Sequence, residues 1–254
     1  MKINSHMIKI FSLSICFLLI ITVKGYCQEI KVVTEYLAPY QIEMPDGSVG
    51  GFSTEVLRAI FKQANKKPNI IVMPWARAYK VVKEESNVMI YSIAHTKARH
   101  DLFHWIGSLT KERLYFWGLK SRFPVPIDIE ALLKGYLVTA SKNSNISQYL
   151  IDNNFFNIYH ITVEDQSMKM LYSHRVDLLV DTELNARYRA KKLGLDFDEM
   201  IKIKEVTALN NDLSFAFNLQ SNLQLVRDFQ KAYQEVKAKG ILDKIKQKWQ
   251  ITGG

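Results

Sequence analysis

Residues 69–92 read NIIVMPWARAYKVVKEESNVMIYS. Two short apolar runs, 69–73 and 88–92, flank a segment of a different rhythm. Within that segment Trp75, Tyr79 and Val82 recur at helical spacing, and Pro74 separates them from the first run. The stretch therefore predicts a strand, a helix over 75–85 and a second strand. Upstream, residues 30–34 (Ile-Lys-Val-Val-Thr) predict another strand, ended by Pro39, and Pro45-Asp46-Gly47 predicts a turn. Ser53 is placed to cap a helix, with Glu55 in its first turn against the helix dipole. Val56, Leu57, Ile60, Phe61 and Ala64 then mark one helical face. The order β-α-β-α-β is that of a mostly parallel sheet with helices on its faces.

Downstream, 94–113 reads as a connecting stretch, and the pattern restarts with a strand over 114–119. Helices are expected over 127–133, 146–152, 166–174 and 182–193. Strands are expected over 136–140, 158–162, 176–181, 201–206 and 213–218. Leu223, Val226, Phe229, Tyr233 and Val236 line a long helix that stops at Gly240, and Ile241, Leu242, Ile245 and Trp249 stripe a last one. Two α/β units in one chain predict two lobes. Ligands of open α/β sheets sit at the carboxyl ends of strands, so facing lobes would line a cleft from both sides.

The chain begins with Met1, Lys2 and Lys9 and then an apolar stretch over 10–23. It suits the core of an export signal and falls short of the ~20 residues needed to span a bilayer. Cleavage after Gly25 and cleavage after Cys27 both fit, so residues 1–27 are set aside as a signal peptide. The only two cysteines, Cys16 and Cys27, lie in that segment, so no disulfide framework is expected. Removing three lysines and no acid takes the net charge from +9 to +6. The excess attracts anionic ligands or a membrane surface, or is a solvated face; the lysines at 237–248 read as such a face.

At this point five runs of residues carry a resemblance. They are Thr34-Glu35-Tyr36-Leu37-Ala38-Pro39-Tyr40, Gly50-Gly51-Phe52-Ser53-Thr54-Glu55, Ser92-Ile93-Ala94-His95-Thr96-Lys97-Ala98-Arg99, Val176-Asp177-Leu178-Leu179-Val180-Asp181, and Lys239-Gly240-Ile241-Leu242-Asp243-Lys244-Ile245. In this order they resemble the bacterial extracellular solute-binding proteins, family 3, of the polar amino-acid type, which are type II periplasmic binding proteins. Pro74-Trp75-Ala76-Arg77-Ala78 looks like a divergent subgroup. The resemblance implies two lobes that close like a flytrap: 28–113 with 210–254, and 114–209, hinged near Arg113 and Leu209.

It also implies site residues. Arg99 would clamp a ligand carboxylate with its planar guanidinium, against the alternative of a surface arginine. Asp181 would receive an ammonium group, cap the helix that follows, or do both. Trp75 would offer a flat wall, with help from Tyr36 and Tyr40, and core packing is the competing role for each ring. Ser92 and Thr96 would supply hydroxyls, and Ser144 another from a helix start in the second lobe. Arg77 favours an acidic ligand if it faces the cleft and means nothing for function if it faces solvent. Family members that take cationic side chains often carry an acid where Thr34 stands, so its absence argues against lysine or arginine.

The implied function is that of a periplasmic binding protein for an amino acid or related carboxylate, delivered as a monomer to an inner-membrane ABC permease. A sensor role and a small-carboxylate dehydratase on the same fold are the alternatives. No GxSxG elbow, P-loop or GxGxxG occurs, and Glu35, Glu183 and His95 are the acid-base candidates an enzyme would need. His95, His100 and His104 lack the converging ligands of a zinc site. No cofactor, metal or nucleic-acid partner is expected.

Overall fold

The computed structural model describes residues 29–127 and 130–251. The expected export signal with Cys16 and Cys27 lies outside them. The first half of the chain forms β1 (Glu29–Thr34), β2 (Ile42–Glu43), β3 (Val49–Gly50), α1 (Phe52–Gln63), β4 (Lys67–Val72), α2 (Trp75–Glu84), β5 (Met89–Ala94), β6 (Phe103–Lys111) and β7 (Tyr115–Leu119). There follow α3 (Glu130–Leu133), β8 (Val138–Ser141), α4 (Asn145–Asp152), β9 (Ile158–Ile161), α5 (Glu164–Tyr172), β10 (Leu178–Asp181) and α6 (Glu183–Leu193). The chain ends with β11 (Met200–Glu205), β12 (Asp212–Asn218), α7 (Leu223–Ala238) and α8 (Ile241–Lys248).

The strands form two five-stranded sheets, in the orders β4-β1-β5-β12-β6 and β11-β7-β10-β8-β9. Each contains one reversed strand. β12 runs antiparallel to β5 and β6, and β7 runs antiparallel to β10 and β11. The remaining neighbours are parallel. Both reversed strands directly follow a passage of the chain from one sheet to the other, over 112–114 and 206–211. The passages run side by side, with Glu112 N–H donating to Asn211 O at 3.2 Å and Val206 N–H to Leu114 O at 2.8 Å. The molecule is thus a two-lobed α/β protein with helices flanking each sheet.

Both sheets are buried on both faces, which is why their central strands are continuous apolar runs rather than alternating ones. On β5, Met89 and Tyr91 join one core while Ile90 and Ile93 join the opposite one. On β10, Leu178 and Val180 face one core and Leu179 the other. α7 packs over α1, where the Phe61 and Phe229 rings meet edge to face at 4.7 Å.

Two local expectations are corrected. The cap of α1 is Gly51, and Ser53 lies buried inside the helix. Gly51 has φ 101, and a Cβ there would come within 2.5 Å of Tyr40 O and 2.7 Å of Pro39 O. Only glycine meets both demands. Gly51→Ala is expected to lower stability by about 1–3 kcal/mol in chemical denaturation; an unchanged midpoint would show that the turn relaxes freely. The second correction is β6, a nine-residue strand where a connection was expected. It is an edge strand with half-buried Trp105 and Ser108, and Gly107 sits flush against the Tyr233 ring. Such a strand shows no clean alternation.

Candidate functional site

The carboxyl ends of β1, β5, β8 and β10 converge on one partly open cavity between the lobes, of about 70 Å³. The first lobe contributes Glu35, Trp75, Ser92, Arg99 and Glu112. The second contributes Ser141, Ser144, Glu164, Asp181 and Asn185. The cavity opens past Arg99, Asn143 and Ser144 toward an outer groove of about 770 Å³. That groove is edged by Lys80, Lys83 and Lys97 on one side and by Gln148 and Tyr149 on the other.

Arg99 is buried, and its guanidinium lies 5.4 Å from the Trp75 ring centre and 4.9 Å from that of Tyr79. Stacking on two rings fixes the plane of the fork. Arg99 donates to Asn143 O at 3.3 Å, and the Trp75 indole N–H donates to the same carbonyl at 3.1 Å. Asn143 belongs to the second lobe, so this one carbonyl ties the lobes together at the mouth of the cavity.

Asp181 ends β10, buried at the cavity wall. One carboxylate oxygen accepts the Thr182 N–H at 2.8 Å and the other accepts from the Arg189 guanidinium at 2.6 Å. The cap of α6 is Thr182, whose hydroxyl accepts the Asn185 N–H at 3.1 Å. Arg189, two turns into α6, is buried and also faces Glu164 at 3.9 Å and Asp165 at 3.8 Å. Asp181 is therefore already paired with a cation of its own lobe.

Of the other expected site residues, Ser92, Trp75 and Ser144 line the cavity. Ser92 is held at φ 56, with a buried hydroxyl that has no hydrogen-bond partner. Ser144 caps α4 by accepting the Ser147 N–H. Thr96 lines the outer groove. Tyr36 and Arg77 lie outside both spaces and are exposed. The reasons are geometric. Arg77 is two residues from Trp75 on a helix whose buried face is Trp75, Ala78 and Val82. Tyr36 follows Glu35, which takes the inward position. Tyr40 is buried against Phe52, at 6.1 Å between ring centres. Thr34 is buried and its hydroxyl accepts from the Gln41 side chain, while the next residue, Glu35, lines the cavity.

The electrostatics of the cavity come from Asp181 and Glu35, both named from the sequence, and from Glu112 and Glu164, which were not. Burial pushes Glu35 well above the usual carboxylate range; Glu164 adds to the shift and Arg189 opposes it. Burial pushes Glu112 up to about 8, with the Tyr40 hydroxyl opposing and Asp181 adding. Asp181 is also raised by burial, with Arg189 opposing. One oxygen of Glu112 is buried with no partner. Two of the acid-base candidates are occupied elsewhere: Glu183 accepts from Lys202 at 2.6 Å, and His95 stacks on Trp105 at 3.8 Å. Among the described residues no cluster of His, Cys, Asp and Glu could hold a metal ion.

Residues 30–116 match the bacterial extracellular solute-binding proteins, family 3. The match takes in β1 to β6 and the start of β7. The solved structures extend the solute-binding fold to the second lobe. A histidine kinase sensor domain with similarity to periplasmic binding proteins superposes with a TM-score of 0.78 at 14% identity, covering 87% of this chain and 96% of its own. An ancestral arginine-binding protein bound to arginine gives 0.76 at 19%, with 87% and 97% covered. The arginine-, lysine-, histidine-binding protein of Geobacillus stearothermophilus gives 0.75 at 17%, with 89% and 97% covered. No curated protein matches the sequence. The matched family is one of solute-binding proteins, and these neighbours are two amino-acid-binding proteins and a sensor domain.

Proposed function

We propose that this solute-binding protein closes around a small amino acid that carries an extra positive charge, such as arginine, lysine or ornithine. The observation that carries the reading is the charge of the wall. Glu35, Glu112, Glu164 and Asp181 line the cavity with Arg99; Arg189 serves Asp181 and Glu164, which leaves Glu35 and Glu112 as the acids without a salt bridge of their own. A buried charge is stable only when it is paired, so the excess acid calls for a cation from the solute. Arg99 takes the solute carboxylate at the mouth, Trp75 walls the site beside it, and Ser92 and Ser144 supply polar contacts. Lobes of 28–113 with 210–254 and of 114–209 swing about the paired passages at 112–114 and 206–211. An arginine-bound ancestral neighbour supports the solute class. The protein is exported to the periplasm and passes its solute, as a monomer, to an ABC-type permease.

A sensing role is the second reading, favoured by the fold match to a histidine kinase sensor domain. In that case the closed shape is read by a signalling partner instead of a permease.

Calorimetric titration with L-arginine, L-lysine, L-ornithine, L-glutamine and L-glutamate tests the solute class. At least one cationic amino acid is expected to bind, and L-glutamate is not. Arg99→Ala should weaken the binding by about 10–100-fold, the value of a charged hydrogen-bond pair. Tight binding of L-glutamate with none of the cationic three would sink the reading.

A further inference from the structure

We infer that closing the empty cleft requires proton uptake, because closure gathers four carboxyl groups at the wall of one cavity. Glu35 and Glu112 come from the first lobe, and Glu164 and Asp181 from the second.

The positive charge in reach is already committed. Arg189 bonds Asp181 at 2.6 Å and lies 3.9 Å from Glu164, both within its own lobe. Asp165, its third neighbour, is held by Lys192 at 2.7 Å. Arg99 stacks on Trp75 and Tyr79 and points one hydrogen bond at the Asn143 carbonyl. This leaves the two first-lobe acids without an ion-pair partner. Glu112 is buried and one of its oxygens has no hydrogen bond; the Tyr40 hydroxyl favours its charge and Asp181 opposes it. Glu164 opposes the charge of Glu35 and Arg189 favours it.

Opening the cleft would return Glu35 and Glu112 to water and to the ordinary glutamate acidity near 4.3. Closing it without a proton would bury unpaired like charges, the costliest arrangement the fold could adopt. A proton on Glu112, and another shared by Glu35 and Glu164, removes that cost. The position of Glu112 makes the link mechanical. It lies in the passage between the lobes, its N–H bonded to Asn211 of the returning passage.

For Glu112 alone, an acidity near 8 when closed and near 4.3 when open changes the closed-to-open ratio by more than about 100-fold between about pH 5.5 and about pH 9. Small-angle X-ray scattering of solute-free protein reads this directly. The compact form is expected to dominate at about pH 5.5 and the extended form at about pH 9. Glu35→Gln combined with Glu112→Gln should stay compact at both, and Glu112→Gln alone should lose most of the change should the double variant not fold. Scattering that does not move with pH in the unaltered protein overturns the inference. So does an equal movement in the Glu112→Gln variant. Because no solute is present, the outcome is independent of the proposed solute class. A parallel measurement at about pH 9 with L-arginine addresses that class separately, since the cation is expected to restore the compact form.

Discussion

Arg189→Ala is expected to lower the stability of the folded protein by about 3–5 kcal/mol, the usual cost of removing one partner from a buried ionic cluster. The guanidinium side chain is 4% exposed and stands against Asp181, Glu164 and Asp165. Its acidity reflects that setting: burial alone would lower its pKa, and the three carboxylates outweigh burial and raise it. Alanine would leave Asp181, itself buried, with the Thr182 N–H as its main remaining donor. The deficit should shrink as the pH falls, because protonating the abandoned acids removes the uncompensated charge. Urea unfolding of both proteins at about pH 7 and about pH 4 measures it. A loss below about 1 kcal/mol at pH 7 would mean that water reaches the cluster and that the acids are not buried as a group.

This residue also shows where the sequence is readable and where it is not. The helix holding Arg189 was expected over 182–193 and observed over Glu183–Leu193. Its inward stripe, Asn185, Ala186, Arg189 and Ala190, contains no large apolar side chain. Hydrophobic spacing therefore hides an arginine that points inward; two alanines at i−3 and i+1 are the only sign. The parallel strands were legible because burial on both faces makes them unbroken apolar runs. β6 was not, because one edge of it meets solvent. Arg99, Asp181, Trp75 and Ser92 reach the cavity because they stand at or just past strand ends, or at a helix start, positions that motif order can mark. Glu112 and Glu164 reach it from a passage and from a helix start, and only the packing of one lobe on the other makes them neighbours. β1 ends at Thr34, and Glu35, just past it, is the residue that lines the cavity.

Glu112→Gln is expected to stabilise the protein in alkaline solution and leave it nearly unchanged in acid. The Glu112 carboxyl is pushed up to about 8 in the folded protein by burial, with Asp181 adding. In the unfolded chain it titrates near 4.3. Between these values the folded state holds a proton that the unfolded state has released, so the unfolding free energy falls as the pH rises. The loss begins above about pH 4.3 and is complete above about pH 8, with a ceiling of about 5 kcal/mol at ~1.4 kcal/mol per unit. Opening of the cleft relieves part of it, so the measured value lies below that ceiling. Glutamine carries no charge at any pH, and the variant escapes the loss. Denaturation from about pH 4 to about pH 9 should show the two stabilities together at the acid end and separating steadily upward. A constant difference across that range would mean that Glu112 titrates in the fold as it does in the unfolded chain, solvated by water within the cleft. A buried acid that costs its own fold stability near neutrality is the mark of a site that holds a proton in place of a cationic partner, since a protein under selection for stability alone would replace it with glutamine.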